Sequence, residues 1–488
     1  MGRPFPDLPI YANFEAPGRV EAEAIDLEVE GAIPSSLDGT FFRVAPDPQW
    51  SPRLGTDIFF NGDGMVAAFQ FHNGQVDFKT RYVRTQKFVA EQQARKALFG
   101  AYRNPFTDDP NVAGTSRGTG NTNVVVHNRI LLALKEDSPP VAMDPHSLET
   151  LNNLYRFDGK MMSATFTAHP KKDPTTGELL GIGYAAKGET TPDIAYYVID
   201  KDGNTVHEAW FKAPHSAMIH DFAATENFIV FPIMPLVSDL ERLKAGKPHF
   251  TWRPDLDQVY GVLPRRGGAD DIRWFDAPNA FPGHIINAFD EGGKVYLDMG
   301  VASDNVFTWF PDASGHAPPR GSVRGSFVQW TFDMSSNSSL PHSRPLTSLA
   351  GEFPHIDDRY AGHSYRHSFI AAVDPSKPYD QEKCGPRSPN GCFNAIGHFD
   401  VATSKAKAWF PGATSTVQEP VFAPRSETAP EGDGFVVALV NRLAERRSDL
   451  VVLDAQRIDE GPIATIHVPI RLRTGLHGNW VPVSEIPS

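Results

Sequence analysis

Cysteine is nearly absent. The 488-residue chain has two, Cys384 and Cys392, on either side of the segment GPRSPNG. Two cannot build a disulfide scaffold or a zinc ribbon; they are expected as unpaired thiols in a reducing compartment, with a single loop disulfide as the alternative. Long apolar runs are also missing. The longest, FIVFPIMPL at 228–236, is interrupted by Pro232 and Pro235 and falls short of the roughly 20 residues of a membrane span. The opening residues MGRPFPDLPIYANFEAPG lack the charged and apolar regions of a signal peptide. Pro6 stands where a myristoylation signal needs Ser or Thr, so the chain is expected in the cytosol. Positive charge is in deficit, with 46 Lys and Arg against 59 Asp and Glu and a net charge of −13. That sign repels phosphate backbones and anionic lipid and argues against a nucleic-acid partner. No HExxH, CxxC or EF-hand pattern occurs, and no crisp tandem repeat of the WD or kelch type.

What is present is β-structure cut by frequent turns. Forty glycines and 42 prolines are spread along the chain rather than gathered in a linker. Between them lie short β-type runs: TNVVVHNRILLAL at 122–134, with Asn128-Arg129 as a tight turn, then KVYLDMG from Lys294, GFVVALV from Gly434 and DLVVLDA from Asp449. The pattern predicts an all-β sandwich, barrel or propeller. Two stretches, 91–100 (EQQARKALFG) and 237–246 (VSDLERLKAG), carry strong helix formers and end in glycine. They are expected as helical insertions in the β scaffold.

Seventeen histidines make a metal set uncountable by composition. The short-range pair His363 and His367, in GHSYRHSF, has strand-like neighbours and reads as structural. Four others begin or end apolar segments: His169 in FTAHPKKD, His220 in SAMIHDFA, His284 in FPGHIINAFD and His477 in RLRTGLHGNW. Each taken alone reads best as a hydrogen-bonded core histidine. Their long separations suit one ligand per structural unit converging on an axis.

Across nearly its whole length the sequence resembles the carotenoid cleavage oxygenase family. The resemblance is carried by FNGDGMVAAF, NTNVVVH, ALKEDSPPVAMDPHSLETL, TAHPKKDPTTGEL, MIHDFAATENFIVF, HIINAFD, EFPHIDDRYAG, EPVFAPR, the pair DGFVVALV and DLVVLDA, and GLHGNW, in that order. It implies one domain over 1–488, a seven-bladed β-propeller with a helical cap that includes insertions at about 86–105 and 236–247. It implies one Fe(II) per subunit held by His169, His220, His284 and His477, dioxygen as cosubstrate, and Glu136, Glu352 and Glu419 behind the ligands. Imidazole also suits zinc, copper and nickel, so ligand type alone leaves the metal open. A carboxylate accepting the imidazole N–H orients the ring and strengthens the ligand. The resemblance also implies a homodimer.

Within the family, the likeness falls with members that act on stilbenes carrying a phenolic ring. It assigns Tyr102 (GAYRNPF) and Lys135 (ALKED) to the 4-hydroxyl of the substrate. Phe59 and Phe60, just before the NGDG turn, are candidates for lining an aromatic cavity, with core packing the alternative. A phenol has a pKa of about 10, and a buried ammonium beside it favours phenolate. The expected reaction is dioxygen cleavage of the central C=C bond of a lignostilbene-type 4-hydroxystilbene to two aromatic aldehydes such as vanillin. Two alternatives stand beside it: a carotenoid or apocarotenoid cleavage dioxygenase with the same iron site, and a metal-free propeller acting as a binding scaffold. One tension accompanies the assignment. Lys135 and Glu136 are adjacent, and strand neighbours point to opposite faces, so both serve one site only where the strand ends. The following DSPP predicts such an ending.

Overall fold

The computed structural model describes residues 3–319, 322–387 and 393–486. Seven antiparallel sheets follow one another round a ring, as expected of a seven-bladed propeller. Taken from the axis outward, their first strands are Gly478–Pro482, Asn123–His127, Lys171–Lys172, Ala223–Ala224, Phe281–Glu291, Ala350–His355 and Ser415–Pro424. Most outermost strands, such as Thr150–Asn152 and His342–Pro345, are largely exposed.

The ring is closed from both chain ends. Gly478–Pro482 supplies the innermost strand of the first blade, pairing with Gly39–Pro46 in the register Phe41↔Trp480. Val29–Gly31, from the N-terminal part, adds a fifth, outermost strand to the last blade beside Pro462–Val468. Asn479 Nδ2 then donates to Asn123 Oδ1 (3.0 Å) and to the Val124 carbonyl (2.7 Å), tying the closing strand to the next blade.

Local signals in the sequence behave as expected. Asn128 and Arg129 take φ of 46° and 62°, the left-handed pair of a two-residue hairpin turn, joining Asn123–His127 to Ile130–Leu134. Gly434–Arg442 and Arg447–Asp454 form a second hairpin. His367 opens the strand His367–Val373, and His363 precedes it in a turn. Cys384 is half-buried on the short helix Gln381–Cys384 and has no disulfide partner among the described residues; Cys392, its one possible partner, lies outside them.

Both helices fall within the stretches 86–105 and 236–247, but their limits differ from the runs of helix formers. The first helix is Gln86–Ala94, earlier than 91–100, because the Thr85 side chain accepts the Phe88 amide at its start and Arg95 turns left-handed at its end. Beyond Arg95 the Glu91 carboxylate accepts the amides of Leu98 (2.8 Å) and Phe99 (3.1 Å), which holds that stretch out of the helix. In the second insertion the helix is only Leu240–Lys244, capped by Asp239. Leu236–Ser238, before it, is a strand paired with Phe250–Trp252. The two insertions meet where Asn104 Nδ2 donates to the Leu243 carbonyl (2.9 Å).

Candidate metal centre

Each of the four singled-out histidines sits on or just before the innermost strand of a different blade. His169 precedes Lys171–Lys172, His220 precedes Ala223–Ala224, His284 lies within Phe281–Glu291, and His477 precedes Gly478–Pro482. One ligand atom from each lies within 4.8 Å of all the others. Ring centroids are 4.5 Å apart for His169 and His477 and 4.6 Å for His284 and His477.

Glutamates from the other three blades hold three of these rings. Glu352, on Ala350–His355, accepts from His284 Nδ1 (2.5 Å), and Glu419, on Ser415–Pro424, accepts from His477 Nδ1 (2.7 Å). Glu136, in the turn after Ile130–Leu134, faces His220 Nδ1 at 3.4 Å. Two of the carboxylates also fix backbone. Glu352 Oε1 accepts the His284 amide (3.2 Å), and Glu419 Oε2 accepts the Gly478 amide (2.6 Å). Burial opposes the charge on Glu136, Glu352 and Glu419, but their histidine partners outweigh it and hold each carboxyl down to about 2. Burial, reinforced by the three neighbouring rings, pushes His169 well below the ordinary histidine range.

These protonation states bear directly on whether a cation fits. Against the effect of burial, the Glu352 carboxylate favours the protonated His284 ring; with a metal bound, Nδ1–H donated to carboxylate would leave the Nε2 lone pairs of His220 and His284 to the ion. The two Nε2 atoms face each other at 3.0 Å, and His169 Nε2 faces His220 Nε2 at 3.3 Å. Converging lone pairs repel unless a cation lies between them. Two imidazole nitrogens each about 2.1 Å from one ion stand roughly 3.0–3.4 Å apart over square to tetrahedral angles. The donor set therefore fits a metal, and four neutral imidazoles leave a divalent ion its full charge.

Asp221 holds the ligand-bearing strands in place. Its buried carboxylate accepts Lys171 Nζ (2.7 Å), the Phe222 amide (2.8 Å) and the Ile285 amide (2.9 Å), next to His169, His220 and His284. Asp221→Ala leaves two buried amides and an ammonium without their acceptor. Denaturant unfolding of the variant is expected to show a loss of about 3 kcal/mol, with lower metal content after purification.

Lys135 and Glu136 both reach the centre's surroundings because the strand ends at Leu134. Lys135 begins a turn closed by the Ser138 amide on the Lys135 carbonyl (3.4 Å). Lys135 Nζ lies 4.8 Å from the Tyr102 ring centroid and 2.6 Å from Asp137 Oδ2, with the two paired side chains only 2% and 4% exposed. Tyr102 packs on Phe310 (5.8 Å between centroids). Further aromatics continue this wall: Phe60 lies against Phe307 (5.6 Å) and Trp309 (5.3 Å), and Phe307 against Phe281 (4.9 Å), three residues before His284. Phe59 lies edge-on to Phe60 (6.1 Å between centroids). Its ring lies under the Arg473 guanidinium (4.7 Å), in a small polar cavity with Tyr11, Asp57, Lys87 and Glu91.

Several neighbours carried no signal in the sequence. Asp137 is one. Phe353 is another: it adopts φ of 55° at the irregularity between Glu352 and His355 and stacks on His284 at 5.4 Å. His355 shares Glu419 with His477, its Nε2 at 3.2 Å from Oε1. Only the i+2 spacing of Asp137 from Lys135 is visible without the fold.

Residues 14–482 match the family described as retinal pigment epithelial membrane protein. The chain belongs to the carotenoid cleavage oxygenase family. Among relatives in this family is resveratrol cleavage oxygenase 1 of Aspergillus fumigatus, 48% identical, with the alignment covering 99% of this chain and 97% of that protein. Isoeugenol monooxygenase of Pseudomonas nitroreducens is 45% identical, covering 96% of each. The crystal structure of Pseudomonas brassicacearum lignostilbene dioxygenase superimposes with a TM-score of 0.96 at 51% identity, covering 99% of this chain and 100% of that one. The chain is thus an oxygenase of this carbon–carbon double-bond cleaving family, on the family's propeller. Among the described residues no helix is long and apolar enough to cross a membrane.

Proposed function

We propose that this chain is a non-haem Fe(II) dioxygenase that cleaves the central C=C bond of 4-hydroxystilbenes to two aromatic aldehydes. The observation carrying this reading is the Lys135 ammonium, buried beside the Tyr102 ring and one residue from Glu136, which faces His220. A polyene gives a buried ammonium nothing to bind, whereas a phenolic oxygen accepts its hydrogen bond. The similarity to relatives named for resveratrol and lignostilbene supports the same substrate class.

His169, His220, His284 and His477 would hold the iron, which when bound supplies open positions for dioxygen and the redox capacity to use it. The chain's own groups do the rest. Phe60, Phe281, Phe307 and Trp309 offer ring faces and edges to a flat diaryl substrate. Lys135 donates to the 4-oxygen and favours electron release from it through the conjugated system to the alkene, and the Tyr102 hydroxyl orients the ring. The atoms balance without a general base: one alkene and one dioxygen give two aldehydes, and each alkene carbon keeps its hydrogen.

The test is anaerobic loading with Fe(II), followed by aerobic product analysis on resveratrol-type stilbene, isoeugenol and an apocarotenal. Two aldehydes per stilbene, with the apocarotenal unconverted, is the expected result. Preferential apocarotenal cleavage, or turnover equal with and without iron, overturns the proposal.

A further inference from the structure

We propose that Asp137 is a positioning residue that sets Lys135 for the substrate's 4-hydroxyl, an inference resting on the reading of Lys135 given above. Asp137 Oδ2 accepts Lys135 Nζ at 2.6 Å from two residues away in the same turn. Its other oxygen, Oδ1, is buried without a hydrogen-bond partner among the described residues. The carboxylate is therefore not a general structural clasp of the kind Asp221 is, with its three partners; its one recorded side-chain bond is to the lysine.

Two physical needs are met by that bond. A lysine side chain has many rotamers to lose on fixing one direction, and a buried ammonium needs a counter-charge. Asp137 restricts the first and supplies the second. Among the described residues no other carboxylate hydrogen-bonds Lys135 Nζ. Glu136 is turned to His220, and the buried Arg103 guanidinium next to Tyr102 is taken by Glu189 (2.9 Å) and by the Tyr184 hydroxyl. An ammonium has three N–H bonds. One goes to Asp137 and the Tyr102 ring face lies on a second side, and the third is assigned to the phenolic oxygen. The pair is neutral overall, so a phenol is recognised by the direction of that N–H rather than by bulk positive charge.

The experiment uses the iron-loaded protein under anaerobic conditions, so that ligand binds without turnover. Fluorescence titration compares 4-hydroxy-trans-stilbene with unsubstituted trans-stilbene on wild type, Asp137→Asn, Asp137→Glu, Lys135→Met and the Asp137→Asn/Lys135→Met double variant. Asp137→Asn is expected to weaken the hydroxylated ligand about tenfold and leave the unsubstituted one unchanged. Asp137→Glu is expected to restore part of the loss. The double variant is expected to bind no worse than Lys135→Met, since Asp137 acts through the lysine. Equal weakening of both ligands marks a merely structural ion pair and overturns the proposal, as does an additive double variant. If wild type fails to bind the hydroxylated stilbene, the substrate reading falls with it. If wild type binds and Lys135→Met weakens it while Asp137→Asn does not, only the role of Asp137 falls. Should Asp137→Asn lose iron or fold, the Asp137→Glu titration decides by the same comparison.

Discussion

His284→Ala is expected to purify without stoichiometric iron and to lose stilbene cleavage altogether. The variant removes one of four converging nitrogens and does more damage than that count suggests. Glu352 keeps its charge because His284 donates to it, from the ring at 2.5 Å and from the backbone at 3.2 Å. With the ring gone, the Glu352 carboxylate, a side chain 30% exposed, faces the remaining cluster without its main partner, and solvent screening keeps the cost below the roughly 3–5 kcal/mol of a fully buried pair. Phe353 also loses the ring it stacks on. Loss of an outer-shell partner alone typically weakens metal binding about 10–100-fold, so loss of a ligand together with its support should exceed that. Metal analysis by plasma emission gives the occupancy, and thermal melts of iron-loaded and metal-depleted wild type separate the metal's share of stability from that of the ring. A variant that keeps one iron per chain, or wild type that never carries iron, would exclude the four-histidine centre and leave the binding-scaffold reading.

Lys135→Met should retain full iron content and lose about 100-fold in kcat/KM for a 4-hydroxystilbene, close to 2.7 kcal/mol of transition-state stabilisation. Methionine matches the length and fills the space, so the wall formed by Tyr102 and Phe310 persists while the N–H donor is lost. The substitution strands Asp137, whose recorded partner is Lys135, and some loss of stability accompanies the loss of rate. Combining it with Asp137→Asn removes that stranded charge and should recover stability without recovering kcat/KM. The same enzyme preparations assayed with the hydroxyl replaced by hydrogen should show little difference between wild type and Lys135→Met. Intact turnover of hydroxylated stilbenes by Lys135→Met would show that the lysine is structural and the phenol is recognised elsewhere.

The hairpins were legible because their signals are local. The β-branched and apolar runs NVVVH and ILLAL with Asn128-Arg129 between them specify a strand, a left-handed turn and a strand within a dozen residues. Helix limits were less legible: helix formers continue past Ala94, but Glu91 takes the amides of Leu98 and Phe99 for itself, a competition decided by three-dimensional neighbours. The strand ending that lets Lys135 and Glu136 share one region was signalled by DSPP, and Leu134 is indeed the last strand residue. Phe59 and Phe60 are alike in sequence, yet only packing separates the ring under Arg473 from the one on Trp309.

The amino-acid sequence by itself determined a turn-rich all-β chain without membrane-length apolar runs, and its ordered motifs identified the family. Spacing did not identify the metal centre. The one pair of histidines close in sequence, His363 and His367, lies outside the cluster, and the four that meet are brought together by seven blades closing on one axis. Which glutamate faces which ring, and that Asp221 ties the segments next to three of the histidines, were decided only by the tertiary structure. Strand and turn preferences act over a few residues, whereas these contacts depend on the closure of the ring between Gly478–Pro482 and Gly39–Pro46.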